Sequence, residues 1–264
     1  MSQMNSSESM RRDWDNRARK DAFFYIASWR QDWDDDAFFQ SGEEDYQRLV
    51  ANILSERGFL TTGKSMLELG CGAGRMTRSF ARRFQNVLAF DISSEMLSRA
   101  KALQPNVENI QWIPANGADL ADVASDSVNF VFSYLVLQHL PKEELVQKYI
   151  SEMLRVLAAG GLCLFQFNGT VETNMNWKGK AAWKMMDVLW TLHLRRMAEA
   201  VARVFGLDPA MAGKNWHGVA LKTQHIVEMV RASGGEAITT FGENTPMAWC
   251  CASKIGGSGG EAKA

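Results

Sequence analysis

The stretch Glu68-Leu69-Gly70-Cys71-Gly72-Ala73-Gly74 carries the strongest chemical signal in the chain. An apolar run ends there, three glycines alternate, and a helical pattern begins. Glycine lets the backbone turn sharply and approach a ligand closely. A helix start offers free N–H groups to polar ligand atoms. A dinucleotide fingerprint would read Gly-x-Gly-x-x-Gly. Here the third glycine comes one residue early and Arg75 stands where that fingerprint needs glycine, which argues against a dehydrogenase.

Seventeen residues beyond Gly74, Asp91 closes a second apolar run. An acid at that place can accept both hydroxyls of a ribose, each charge-assisted bond contributing about 1.5–3 kcal/mol. By itself it could equally cap the next helix. A third run leads to Asn116-Gly117-Ala118-Asp119, where Asn116 either contacts a ligand through its amide or closes an Asx turn. A fourth run gives Asn129-Phe130-Val131-Phe132-Ser133-Tyr134-Leu135-Val136, followed closely by His139. Histidine titrates near neutrality, which suits a general base. The blander reading of His139 is a half-buried ring satisfied by local backbone. His193, His217 and His225 are weaker candidates.

The elements that must hold these residues follow from periodicity. Ser65–Leu69, Asn86–Phe90, Ile110–Ile113, Val128–Ser133 and Leu162–Phe167 read as strands with helical crossovers between them, hence a parallel sheet. Pro141 fits the first turn of a helix with an apolar face from Leu145 to Leu154. Ser41 and Glu44 form a capping-box pattern ahead of a helix that stops at Gly58. Thr223 is expected to cap a late helix, and Ala237–Phe241 and Met247–Cys251 read as two final strands. Phe23, Phe24, Ile26 and Trp29 suggest a short aromatic helix, preceded by about ten mobile residues.

In order and spacing these motifs, with Arg155 to Gly161, resemble the class I S-adenosylmethionine-dependent methyltransferases, small-molecule type, over roughly Leu49 to Phe167. The resemblance implies an α/β, Rossmann-like fold: a mostly parallel seven-stranded sheet, helices on both faces, and an antiparallel final strand. It implies S-adenosyl-L-methionine as cofactor, held by Glu68, Gly70, Cys71, Gly72, Gly74, Asp91, Ile92, Met96, Asn116, Gly117, Ser133 and Leu135. Family members commonly carry Asp where this chain has Asn116. Methyl transfer to an O- or N-nucleophile would proceed by in-line displacement, with His139 as candidate base. Relatives that methylate bases carry Asn or Asp followed by Pro-Pro-aromatic after the fourth strand, unlike Ser133-Tyr134-Leu135-Val136. Two other readings use the same cofactor residues: a non-methylating enzyme, and a non-catalytic binding or scaffold protein.

The expected organisation is an N-terminal segment or lid over 1–40, the catalytic domain over 41–255 with a helical insertion at about 171–220, and a flexible tail over 256–264. Phe24, Tyr25, Trp29, Trp177, Trp183 and Trp190 are candidate walls of an acceptor pocket, although aromatic and Met residues at helical spacing are more often core.

Composition bounds the partners. A net charge of −1 gives no basic excess for nucleic acid. No apolar run reaches the length of a membrane span, so neither nucleic acid nor membrane is expected as a partner. Cys71, Cys163, Cys250 and Cys251 lack zinc-ligand spacing, so no metal is expected. On a strand, Cys250 and Cys251 would point to opposite faces. The polar N-terminus lacks a signal-peptide core, and a reduced, cytoplasmic setting fits the free thiols. Oligomeric state is not legible.

Overall fold

The computed structural model describes residues 6–28, 30, 32–169, 177–192, 194–205 and 218–254. The sheet contains β1 (Ser65–Leu69), β2 (Asn86–Asp91), β3 (Ile110–Pro114), β4 (Val128–Ser133), β5 (Leu157–Phe167), β6 (Gly235–Phe241) and β7 (Ala248–Lys254). Their order is β3-β2-β1-β4-β5-β7-β6. Strands β1 to β5 pair in parallel, and β7 runs antiparallel to both β5 and β6. This is the seven-stranded, Rossmann-like arrangement of class I methyltransferases.

Both sheet faces are covered, and side chains alternate between them with the strand period of two. On one face Leu67, Leu69, Cys163, Phe165, Cys250 and Ala252 pack under α6 (Glu143–Val156) and α9 (Thr223–Ala232). On the other, Met66, Phe130, Phe132, Leu164, Trp249 and Cys251 pack against α2 (Asp35–Tyr46), α3 (Asn52–Glu56) and α4 (Thr77–Ala81). Cys250 and Cys251 therefore face opposite layers, as their adjacency on a strand requires.

Strand order reverses between β1 and β4: β2 and β3 lie to one side, β5 to the other. The loops leaving the carboxyl ends of such neighbours diverge and open a crevice for ligand. Helix α5 (Ser94–Leu103) follows β2, with Ser93 as N-cap accepting from the Met96 N–H at 3.1 Å.

Several boundaries differ from the sequence reading. Helix α1 spans Ser6–Ile26, so the expected mobile stretch is helical from Ser6, and Phe23, Phe24 and Ile26 of the aromatic cluster lie at its end. Asp21 breaks this helix with non-helical dihedrals, and its carboxylate caps the following turn at Phe24 N–H. The cap of α2 is Asp34. Ser41 instead sits inside the helix, its hydroxyl donating to Phe38 O at 2.7 Å, because the apolar run Phe38–Phe39 extends the helix upstream. Pro141 precedes α6 by two residues. Thr223 is the first residue of α9 behind Lys222, and its hydroxyl makes no cap bond.

Between β5 and α9 the insertion holds α7 (Trp177–Thr191) and α8 (Arg195–Phe205). Trp29, His193, His217 and the tail lie outside the described residues, as do the side chains of Trp177 and Trp190.

Candidate active site

A cavity of about 340 Å³ opens at the β1/β4 switch point. Its floor is the loop after β1. Gly70 has φ +79°, and a Cβ built on it would lie 2.0 Å from Val136 Cγ2. Gly72 has φ +55°, and its Cβ would lie 2.8 Å from Ile26 Cδ1 of α1. Only glycine leaves the backbone free to pass between the segment after β4 and the overlying helix.

One wall is the end of β2. Asp91 Oδ2 accepts the Gly72 N–H at 2.8 Å, and Oδ1 accepts the Ser93 N–H at 2.8 Å. The acid is thus fixed against the glycine loop, with one lone pair on each oxygen still available to a ligand. Burial pushes its carboxyl up to about 6. The backbone N–H groups of Ser93, Gly72 and Ile92 oppose this, and the negative charge of Asp15 adds to it. Behind it, Glu68 is buried and accepts from Thr77 Oγ1 at 2.6 Å. Burial raises Glu68 to about 7, against the Thr77 bond and the charge of Arg75. Burial, with Asp91 and Glu68 close by, also pushes the Cys71 thiol up, which keeps it neutral.

The opposite wall follows β4. Leu135 has φ +59°, a left-handed conformation that costs a non-glycine residue on the order of 1–3 kcal/mol. Its N–H is held by Gln166 Oε1 at 3.1 Å. Gln166 Nε2 shares its two N–H groups among Phe167 O, Pro246 O and Gln138 Oε1, the last at 3.0 Å. These bonds fix both amides, so Gln138 turns its NH₂ toward His139 Nε2, 3.3 Å away. The His139 ring meets Trp14 edge-on at 5.3 Å.

The roof is α1. Met10, Trp14, Arg17, Tyr25 and Ile26 line the cavity. Arg17 is paired with Asp13 at 2.8 Å and lies over the rings of Trp14 and Tyr25. The helix is latched to the sheet's carboxyl edge. Ser93 Oγ donates to Asp15 at 2.7 Å, Arg11 donates to Ala115 O at 3.1 Å, and Arg19 pairs with Glu95 at 2.8 Å.

The structure therefore gathers Glu68, Gly70, Cys71, Gly72, Asp91, Ile92, Met96, Leu135, His139 and Tyr25 around one cavity. Other named residues stand elsewhere. Gly74 faces Gln104 and Trp112. Ser133 ties β4 to β1 through Leu69 O at 3.2 Å. Gly117 packs by Ile92. Asn116 accepts the N–H of Ala118 and of Asp119 and donates to Asp119 Oδ1 at 2.7 Å, so its amide closes its own turn, and Ala115 is the residue of that segment lining the cavity. Phe24 is buried beside Tyr25, Trp183 is exposed on α7, and neither is among the lining residues.

Trp14, Arg17, Arg75, Gln138 and Tyr134 line the cavity without having been singled out. Buried Arg75 is anchored by Asp45 of α2 at 2.7 Å. That pair joins residues thirty positions apart, with no periodic trace. No group of three or more His, Cys, Asp or Glu suited to a metal occurs among the described residues.

Comparison with known proteins places this geometry. The family described as methyltransferase domain matches residues 67–165. A phosphoethanolamine N-methyltransferase of Triticum aestivum is 31% identical over 106 residues, which is 39% of this chain and 21% of that protein. A ubiquinone biosynthesis O-methyltransferase of Acinetobacter baumannii is 29% identical over 109 residues, 40% of this chain and 46% of that protein. The chain thus spans less than half the length of these curated relatives. Among solved structures, magnesium protoporphyrin IX methyltransferase from Synechocystis with bound SAM superposes with a TM-score of 0.60. It is 14% identical and covers 96% of this chain and 100% of that one. At that identity the likeness is one of fold.

Proposed function

We propose that this chain, which matches the methyltransferase domain family over residues 67–165, transfers a methyl group from S-adenosyl-L-methionine to a small-molecule O- or N-nucleophile. The observation that carries the reading is the bond from Gly72 N–H to Asp91. It unites the glycine loop and the ribose acid in one wall of one cavity.

The residues present fit such a nucleoside. Asp91 keeps acceptor capacity for two hydroxyls, Ile92 and Met96 give an apolar surface for a purine, and the glycines clear the floor. When bound, S-adenosylmethionine supplies an electrophilic methyl on a sulfonium, so alignment and exclusion of water are what the protein must add. Helix α1 covers the cavity and helps to exclude water. Leu135, held in its strained conformation by Gln166, shapes the wall opposite Asp91.

His139 is the base in this reading. Its neutral form is the one that accepts a proton, and that proton goes to Nε2. The 3.3 Å contact with Gln138 lies at the long end of hydrogen bonding, so an acceptor's O–H or N–H competes for the lone pair.

Binding is tested by calorimetry with S-adenosylmethionine and its demethylated product, and turnover by mass spectrometry of cell extract incubated with isotope-labelled cofactor methyl. Labelled small molecules are the expected result. Tight binding without any labelled product would favour a non-catalytic module, and no affinity for either nucleoside would refute the reading.

A further inference from the structure

Eight of the nine large hydrophobic residues recorded as exposed among the described residues lie between Trp183 and Phe205, on the α7–α8 hairpin and its turn. The two helices pack on each other through Met186, Ala202 and Val201. That small seam leaves a second apolar surface. It runs along α7 through Met185 and Val188 to Leu192 in the turn just beyond, one helical stripe, with Val188 57% and Leu192 60% exposed. On α8 it runs through Met197, Val204 and Phe205, with Val204 78% exposed. Apolar clusters of this kind on a water-facing surface mark a partner or a lipid phase.

Charge identifies which. Residues 177–205 contain six Lys or Arg and two Asp or Glu, a balance of +4, while the remaining 235 residues carry 23 against 28, a balance of −5. Lys178, Lys184, Arg196 and Arg203 are exposed beside the apolar stripes. A second copy docking through the same face would set +4 against +4. A nucleic acid would gain from the cations but leave the apolar stripes in water. An anionic bilayer surface satisfies both, with apolar side chains in the acyl boundary and Lys and Arg at the headgroups.

We infer that the α7–α8 hairpin is a peripheral docking surface for membranes containing anionic lipid. None of the described helices is long and apolar enough to cross a membrane. The expectation of no membrane partner rested on that absence, which does not bear on surface contact. The inference is independent of what the cavity holds, because vesicle binding needs no cofactor.

The test is co-sedimentation of the full chain with phosphatidylcholine vesicles, with and without a minority of phosphatidylglycerol, at low and high salt. Two double variants accompany it, Val188→Ser/Val204→Ser and Lys184→Glu/Arg203→Glu, with folding checked by circular dichroism. Both pairs are exposed and lie outside the cavity lining. The expected result is salt-sensitive binding to phosphatidylglycerol vesicles, weakened about tenfold or more in each variant. No vesicle binding, equal binding to pure phosphatidylcholine, or binding unchanged in the variants would overturn the inference. Self-association lost in Val188→Ser/Val204→Ser, without vesicle binding, would assign the face to a second copy and overturn it too.

Discussion

Replacing Asp91 by alanine tests the site at its most specific contact. Each carboxylate oxygen already holds one backbone N–H, from Gly72 and Ser93, both at 2.8 Å. One lone pair on each remains for a ribose hydroxyl. Losing the charge-assisted bonding should weaken nucleoside binding by about 1.5–3 kcal/mol for each hydroxyl bond lost, roughly a tenfold to 150-fold rise in Kd per bond. The same substitution leaves the Gly72 and Ser93 N–H groups without their acceptor, so the glycine loop should loosen and the apo-protein melt earlier. Asp91→Asn separates the two effects. It keeps one acceptor oxygen and the side-chain volume but removes the charge, and should show a smaller loss of stability with a clear loss of affinity. Calorimetric titration with S-adenosylhomocysteine reads the affinity, and thermal melting by circular dichroism reads the fold. A folded Asp91→Ala protein that binds within twofold of wild type would refute the ribose role and leave Asp91 as a staple of its own loop.

Protonation gives a second handle. With Asp91 raised to about 6 and Glu68 to about 7, the folded state holds more protons than the unfolded chain between their ordinary values near 4 and those raised ones. The contribution of these two acids to stability therefore falls as pH rises through that window. Nucleoside affinity has the opposite sense, since Asp91 must be ionised to accept two hydroxyls. Kd should rise as pH drops below about 6, and affinity that stays flat from neutral to mildly acidic pH would contradict this. For Gly70→Ala, the positive φ costs on the order of 1–3 kcal/mol, and the clash with Val136 adds to it. Gly70→Ala/Val136→Ala should recover only the steric part in a melting comparison, and full recovery would show that φ carries no strain. His139→Ala should slow a single turnover while cofactor affinity stays near wild type, and an unaltered rate would remove His139 from proton transfer.

What was legible in the sequence is what local chemistry encodes. The strands announce themselves by apolar runs, because a parallel sheet buried on both faces excludes polar residues from its interior. The glycine loop and Asp91 announce themselves because backbone conformation and charge at a strand end constrain residue type directly. Cys250 and Cys251 divided between the two faces because strand geometry leaves no alternative. The roof was not legible in the same way. A segment or lid over 1–40 was expected, with about ten mobile residues at its start, but residues 6–20 are polar by composition and give no sign of what holds them: they form a helix whose polar side chains are the fasteners, Asp15 on Ser93, Arg11 on Ala115, Arg19 on Glu95. A polar segment is ordered here by partners about eighty to a hundred positions away, and no window of sequence contains both halves of such a bond.

The same separation accounts for the residues beside His139. Gln138 and Gln166 look like ordinary polar residues, one in a short turn and one in a buried strand. Gln166 is fully buried, where an unpaired amide would cost several kcal/mol. Its bonds to Leu135, Gln138, Phe167 and Pro246 satisfy it, and in doing so fix the wall of the cavity and orient Gln138 beside His139. A glutamine next to the end of an otherwise apolar run, Leu162-Cys163-Leu164-Phe165-Gln166-Phe167, was the signal available in advance. A buried polar side chain must have partners. At the carboxyl end of a strand beside the switch point, those partners belong to the segments that shape the site.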